Sequence, residues 1–257
     1  MTAVIVTRPA REAAVWVEAL RLAGLDAHAL PLIDLGPGPD PVQLQNCRQD
    51  TQAFDAWMFV SPQAVHAFWA APGPTPAPGS GPRCWAPGPG TARALTDQGV
   101  PPACIDLPDL GSAQFDSEAL WATVQPQVGP GHRLLIVHGV SSDGHAGRDW
   151  LARQCEQAGG SVSRCVAYRR TMPVWSAAEQ AQVQGWARSG ASWLFSSSEA
   201  VQHLAQLCPG QDWSRARAVA THPRIADVAQ RLGFGQVTTC RPALPDVIHT
   251  LESGNTP

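Results

Sequence analysis

Short apolar runs alternate with segments in which apolar residues recur at helical spacing, the pattern of an α/β protein built on parallel sheets. Val4-Ile5-Val6 reads as a buried strand. The segment Ala13 to Ala23 follows, with Ala14, Val17 and Leu20/Leu22 on a helical period and Gly24 as its stop. His28 to Leu35 reads as the next strand, and Gly36-Pro37-Gly38-Pro39 breaks the chain before Val42. Trp57-Met58-Phe59-Val60 predicts a strand and Gln63 to Trp69 a helix. The Pro/Gly-rich tract 71–82 predicts a solvated loop that cannot pack. A strand ending near Ala86 leads to a helix over Thr91 to Gln98, and a loop runs through Pro108-Asp109-Leu110-Gly111. The rhythm then restarts. Leu134 to Val137 and Val162 to Tyr168 read as strands around a helix from Arg148 to Ala158. Trp193-Leu194-Phe195 and Ala218-Val219-Ala220 are further strands, each leading into a helix.

The restart is an internal repeat. Phe59-Val60-Ser61-Pro62-Gln63-Ala64-Val65 matches Phe195-Ser196-Ser197-Ser198-Glu199-Ala200-Val201 in Phe, Ser, Ala and Val. Gly24 and Gly160 share the same offset, and Ala86, Pro89, Ala92 and Gly99 recur as Ala220, Pro223, Ala226 and Gly233. Ile5-Val6 recurs as Ile136-Val137. A duplicated α/β unit accounts for this, and on the repeat alone the chain would divide near residues 107–132.

Composition narrows the function classes. The 257 residues are 44% hydrophobic and 15% charged, enough for a sizeable core and too few charges for a disordered chain. A net charge of −3 argues against a surface for nucleic acid or anionic membrane. All 18 basic residues are Arg, which excludes a Schiff-base lysine and a Walker-type lysine. The opening residues lack the basic start and apolar run of a signal peptide, and no stretch reaches the roughly 18 apolar residues of a membrane span. The seven cysteines form no CxxC pair and read as reduced thiols of a cytoplasmic protein.

Candidate chemistry gathers where strands end and helices begin, the ligand-binding edge of a parallel sheet. Ser61-Pro62-Gln63, Gly88-Pro89-Gly90-Thr91, Ser196-Ser197-Ser198-Glu199 and Thr221-His222-Pro223-Arg224 all fall there. Ser and Thr suit the caps of such helices, and Pro suits their first turn. Free N–H groups and the positive helix end favour anions. Each motif alone also reads as ordinary capping, and only the recurrence raises a binding reading. Gly88-Pro89-Gly90 has Arg93 where a dinucleotide fingerprint needs its third glycine. His138-Gly139 and Gly144-His145-Ala146-Gly147 read as a turn at another strand end, without a metal-ligand partner at suitable spacing. Ser61 and Ser197 lack the elbow of a serine hydrolase. Tyr168, the only tyrosine, precedes Arg169-Arg170 at a strand end. It reads either as a half-buried strand residue beside a solvated Arg pair or as a phenol able to donate a proton.

These motifs, in order and over nearly the whole chain, resemble the uroporphyrinogen-III synthase family. The resemblance is carried by Val4 to Pro9, 59–65, 86–95, Gly147-Arg148-Asp149-Trp150-Leu151, Gly159-Gly160, Tyr168-Arg169-Arg170, 195–201, 222–226 and Gly233-Phe234. The insertion at 71–82 and the Pro87 context depart from the family and touch only loop geometry. The resemblance implies two similar α/β domains joined by a two-stranded linker, with the site in the cleft between them. Residues 1–34 with 172–257 would form one domain and 37–165 the other, with 30–36 and 164–172 as the linker strands. It implies cyclisation of hydroxymethylbilane with loss of water and inversion of ring D to uroporphyrinogen III, a lyase reaction of heme biosynthesis that needs no cofactor or metal. In that reading Tyr168 assists departure of the hydroxyl. Arg8, Ser61, Gln63, Thr91, His138, Arg148, Ser197, Ser198 and Thr221 bind the substrate, chiefly its eight carboxylates, and Arg148 alternatively caps its own helix. The expected protein is a cytoplasmic monomer in transient contact with hydroxymethylbilane synthase. A duplicated cleft that senses an anionic metabolite is the alternative.

Overall fold

The computed structural model describes residues 2–77, 81–109, 115–141 and 149–253. It contains two compact units, Met1–Asp34 with Thr171–Pro257, and Leu35–Arg170. Arg148, the segment Gly144-His145-Ala146-Gly147, Leu110-Gly111 and residues 78–80 of the Pro/Gly tract lie outside the described residues.

In the first unit, strands β1 (Val4–Val6), β2 (Ala27–Ala29), β9 (Ser192–Phe195), β10 (Arg217–Ala220) and β11 (Gln236–Thr239) form one sheet in the order β11-β10-β9-β1-β2. Every registered pair is parallel. β1 and β9 are buried at every position because helices cover both faces, which is why they read as unbroken apolar runs. On one face Val4, Val6 and Leu194 pack with Ala13, Val17 and Leu20 of α1 (Ala10–Leu22) and Val247 and Leu251 of α10 (Leu244–Ser253). On the other, Trp193 meets Trp213 edge-on with centroids 5.2 Å apart, and Phe234 stacks on Trp213 at the same separation. Helices α7 (Ala177–Ser189), α8 (Ser198–Leu207) and α9 (Pro223–Leu232) complete the unit. α7 begins in a full capping box between Ser176 and Glu179.

In the second unit, β3 (Asp34–Pro37), β4 (Ala56–Phe59), β5 (Arg83–Trp85), β6 (Ile105–Asp106), β7 (Arg133–Ser141) and β8 (Ser161–Thr171) are ordered β3-β8-β7-β4-β5-β6. The pairs from β8 to β6 are parallel. Trp57, Phe59, Leu135 and Val137 face a core shared with α3 (Pro62–Ala70) and α4 (Pro89–Asp97). Ala56, Met58, Leu134 and Ile136 face α5 (Ser117–Val124) and α6 (Trp150–Gln157).

The repeat is visible in the sheets. Matching β9 to β4, β10 to β5 and β1 to β7, as the shared residues require, turns β2-β1-β9-β10-β11 into β8-β7-β4-β5-β6. The two orders are therefore one topology, with the strands taken in a different chain order in each unit. Both reverse direction of growth between the same pair, β1/β9 in one unit and β7/β4 in the other. Open parallel sheets bind ligands at such switch points. The helix-ending glycines agree in part: Gly99 and Gly233 are both left-handed, with φ of 84° and 100°. The left-handed counterpart of Gly24 is Gly159, not Gly160.

Three expectations need correction. The strand expected over His28 to Leu35 is two strands in two sheets, β2 and β3. Pro31 has no N–H to extend a ladder, and the Leu30 and Leu32 amides donate instead to the carbonyls of Val6 and Thr7. Helix α2 (Pro41–Gln49) stands where only a chain break is expected, capped by Asp40. Its one fully buried residue is Arg48, and only Leu44 and Cys47, partly buried, pack on the core beside it, too short an apolar stripe to betray the helix. The Pro/Gly tract does pack at its described start. Arg48 Nη1 donates to the Pro74 carbonyl, Pro76 is buried, and a Cβ on Gly73 would stand 2.7 Å from Arg48 Cγ.

Candidate functional site

In the second unit, β4 ends at Phe59 and α3 begins at Pro62, leaving Ser61 extended between them at φ −165°. Its Oγ accepts the Ala64 N–H at 3.2 Å, an N-cap on a helix whose first position is Pro. The same Oγ lies 3.1 Å from the Tyr168 hydroxyl, and either oxygen can donate. Tyr168 enters from β8 and is 5% exposed, so it sits inside the unit and not half-buried on a strand surface. The following Arg pair divides: Arg169 is exposed, while Arg170 is partly buried, donates from Nη2 to Ser141 Oγ at 3.2 Å and lies 5.9 Å from the Tyr168 ring centroid.

His138 lies on β7, which continues to Ser141 where a turn is expected. A register shift between His138 and Gly139 re-aims the strand end. His138 is 7% exposed, with Nδ1 3.2 Å from the Gly139 carbonyl oxygen and Nε2 buried without a partner among the described residues. Burial pushes its pKa below the ordinary 6.5, with Arg164 and Arg170 adding to the shift. It is therefore neutral at pH 7. Arg164 is itself held by Asp149, at 2.9 and 3.0 Å.

The other candidates of this unit sit at the head of α4 and α3. Gly88 is the N-cap of α4, without a side-chain bond, and Thr91 lies inside the first turn, 4% exposed. Gln63 occupies the first turn of α3, partly exposed.

The first unit repeats the arrangement with different chemistry. Ser197 caps α8 by accepting the Glu199 N–H at 3.2 Å, and Ser198 is the first helical residue. At α9 the cap is His222, whose Nδ1 accepts the Arg224 N–H at 3.1 Å, and not Thr221, which is buried just before it. Across the switch point Thr7 Oγ1 donates to the Leu194 carbonyl at 2.7 Å. Arg8, expected to bind the substrate, is engaged within the chain: Nη1 bonds Glu12 at 3.0 Å and the guanidinium stacks 4.1 Å from the Trp16 centroid. Burial lowers its pKa while Glu12 raises it, and Nε is buried without a partner among the described residues.

Sequence reasoning missed the cap at His222 and the register shift at Gly139. A lone Gly inside a strand is a signal of a bulge or a close approach, so the second was there to be read.

Fold and site together define a class: a duplicated parallel α/β protein whose strand ends lead into capped helix N-termini. Residues 14–248 match the family profile described as Uroporphyrinogen-III synthase HemD. A uroporphyrinogen-III synthase of Salmonella typhimurium is 27% identical over 254 residues, covering 91% of this chain and 93% of its own. Among solved structures, uroporphyrinogen-III synthetase from Helicobacter pylori superposes with a TM-score of 0.61 at 13% identity over 99% of this chain and 100% of its own. A mutant uroporphyrinogen III synthase from the extremely thermophilic bacterium Thermus thermophilus gives 0.56 at 16% identity over 98% of both chains. The chain belongs to the uroporphyrinogen-III synthase family, lyases of tetrapyrrole biosynthesis acting on a small molecule. None of its described helices is long and apolar enough to cross a membrane.

Proposed function

We propose that this protein cyclises hydroxymethylbilane to uroporphyrinogen III, with Tyr168 as the proton donor. The contact between Tyr168 and Ser61 at the head of α3 carries the reading. The phenol gives its proton to the terminal hydroxyl of the substrate, the C–O bond breaks, and water leaves an azafulvene cation. The substituted carbon of ring D attacks that cation. The resulting spiro intermediate fragments and recloses with ring D inverted, and the proton lost on rearomatisation restores the phenol.

Unassisted closure gives the uninverted type I isomer, so the protein's main work is to hold the chain ends in the geometry that inverts. Ser61, Gln63 and Thr91 in one unit, and Ser197, Ser198 and Thr221 in the other, would bind substrate carboxylates, largely beside backbone N–H groups of helix heads, and His138 on β7 would also contact the substrate. Arg8 would do so by exchanging Glu12 for a substrate carboxylate. Arg148 has the same proposed role. The protein would act in the cytoplasm as a monomer that takes its unstable substrate from hydroxymethylbilane synthase. The test couples that synthase to this protein, oxidises the products and separates the isomers. Type III porphyrin supports the reading, and type I alone from folded protein overturns it.

A further inference from the structure

We propose that Gly139 is a positioning residue for Tyr168: the missing side chain on β7 lets the phenol lie across that strand with its hydroxyl on Ser61. The consequence for turnover rests on Tyr168 being the proton donor. The consequence for the ring rests on geometry alone.

The register of β7 and β8 runs evenly to His138 opposite Val166, and then Gly139 stands opposite Tyr168. Ala167 is thus an extra residue on β8. Such a bulge turns successive side chains off strict alternation, and here Cys165, Ala167 and Tyr168 all pack in the same core. The Tyr168 ring consequently lies over Gly139. A Cβ at position 139 would run into Cζ, Cε2 and Cε1 of the ring, the last at 2.7 Å, closer than real Cβ contacts come. Gly139 is not among the glycines with positive φ, so its backbone could carry any side chain. The ring, and not the backbone, requires the glycine.

The ring has little room to yield. It is 5% exposed, its hydroxyl is fixed by Ser61, and the Arg170 guanidinium stands 5.9 Å from its centroid. A methyl group at 139 would displace the ring and lift the hydroxyl off Ser61. A misplacement of about 1 Å at a reacting group costs roughly a hundredfold in rate.

Tyr168 is the only tyrosine, so tyrosine labelled with 13C at the hydroxyl-bearing carbon gives a single resonance from this ring. In Gly139→Ala that resonance shifts, kcat falls about tenfold or more toward the value of Tyr168→Phe, and KM stays within about twofold. Adding Gly139→Ala to Tyr168→Phe brings no further loss in kcat. An unchanged resonance with wild-type kcat in Gly139→Ala, or losses that multiply in the double variant, would overturn the proposal. If Gly139→Ala does not fold, Gly139→Ala/Tyr168→Ala is compared with Tyr168→Ala. Equal stability of those two upholds the proposal, and a destabilised double variant overturns it. A Tyr168→Phe enzyme with wild-type kcat beside a shifted Gly139→Ala resonance would fail the proton-donor reading and uphold the positioning one.

Discussion

Ser61 Oγ stands 3.1 Å from the Tyr168 hydroxyl across 107 residues of sequence, and it accepts the Ala64 N–H at the same time. One oxygen therefore joins a helix N-terminus to the phenol. The Ala64 N–H that Ser61 accepts polarises the serine hydroxyl and makes it a better donor to Tyr168.

Removing that oxygen acts on both ends. Ser61→Ala should cost about 1 kcal/mol of stability through the lost cap, a fall in Tm of roughly 2–4 °C for a chain of this size. Its kcat should fall, but less than in Tyr168→Phe, since the phenol keeps its proton. Ser61→Thr, which keeps the oxygen, should recover most of both. Thermal unfolding and steady-state rates on the three variants check this. A Ser61→Ala enzyme with unchanged kcat would show that the contact of Ser61 with Tyr168 does not serve the reaction.

His138 sets a pH dependence of stability. Burial and the nearby cations Arg164 and Arg170 lower its pKa in the folded protein, against the opposing pull of Asp149 and the bond to the Gly139 carbonyl. His132, stacked on Trp85 with centroids 5.6 Å apart, is lowered too by burial. Below the ordinary value of 6.5 the unfolded chain takes up protons before the folded one does, so stability is full above that pH and declines as pH falls beneath it. Tm should drop between pH 7 and pH 5, and His138→Gln should flatten part of the slope. An identical slope in the variant would show that the burial of His138 does not act on folding.

Arg48 is a structural cation. It is 2% exposed, lies 4.6 Å from the Trp69 centroid and 5.7 Å from those of Trp57 and Phe68, and donates to Pro74. Arg48→Ala should lower stability by about 3 kcal/mol, since it empties an aromatic cage and removes the hydrogen bond to Pro74, a fall in Tm of roughly 6–12 °C. The rate of the folded variant should be near that of the wild type, because Arg48 belongs to no proposed substrate contact. Calorimetry and turnover at a permissive temperature separate the two effects.

The strands were legible because helices cover both faces of each sheet, leaving Val4-Ile5-Val6 and Leu134 to Val137 as unbroken apolar runs. The serine-capped helix heads of α3 and α8 were legible through the repeated Phe-x-Ser start at Phe59 and Phe195. What pattern alone could not convey is order. β7 and β8 come last in their unit and β1 and β2 first in theirs, although the sheets match strand for strand, because pairing is fixed by tertiary contacts. α2 was illegible because its buried residue is charged. The engagement of Arg8 by Glu12 needed only an i,i+4 reading, whereas its stacking on Trp16 depends on how α1 packs. The lone glycine of β7 signals a close approach at residue 139, but that Tyr168 is what approaches depends on a register shift, which periodicity cannot locate.

The most direct test runs wild type and Tyr168→Phe side by side on freshly generated hydroxymethylbilane, with the isomers separated after oxidation. The wild type should give type III porphyrin at a rate that outruns spontaneous closure. Tyr168→Phe, folded and at equal concentration, should be slower by about tenfold or more, with type I rising as unassisted closure competes. Type I alone from the wild type would contradict the assigned reaction, and equal type III yields and rates from both proteins would contradict the role given to the phenol.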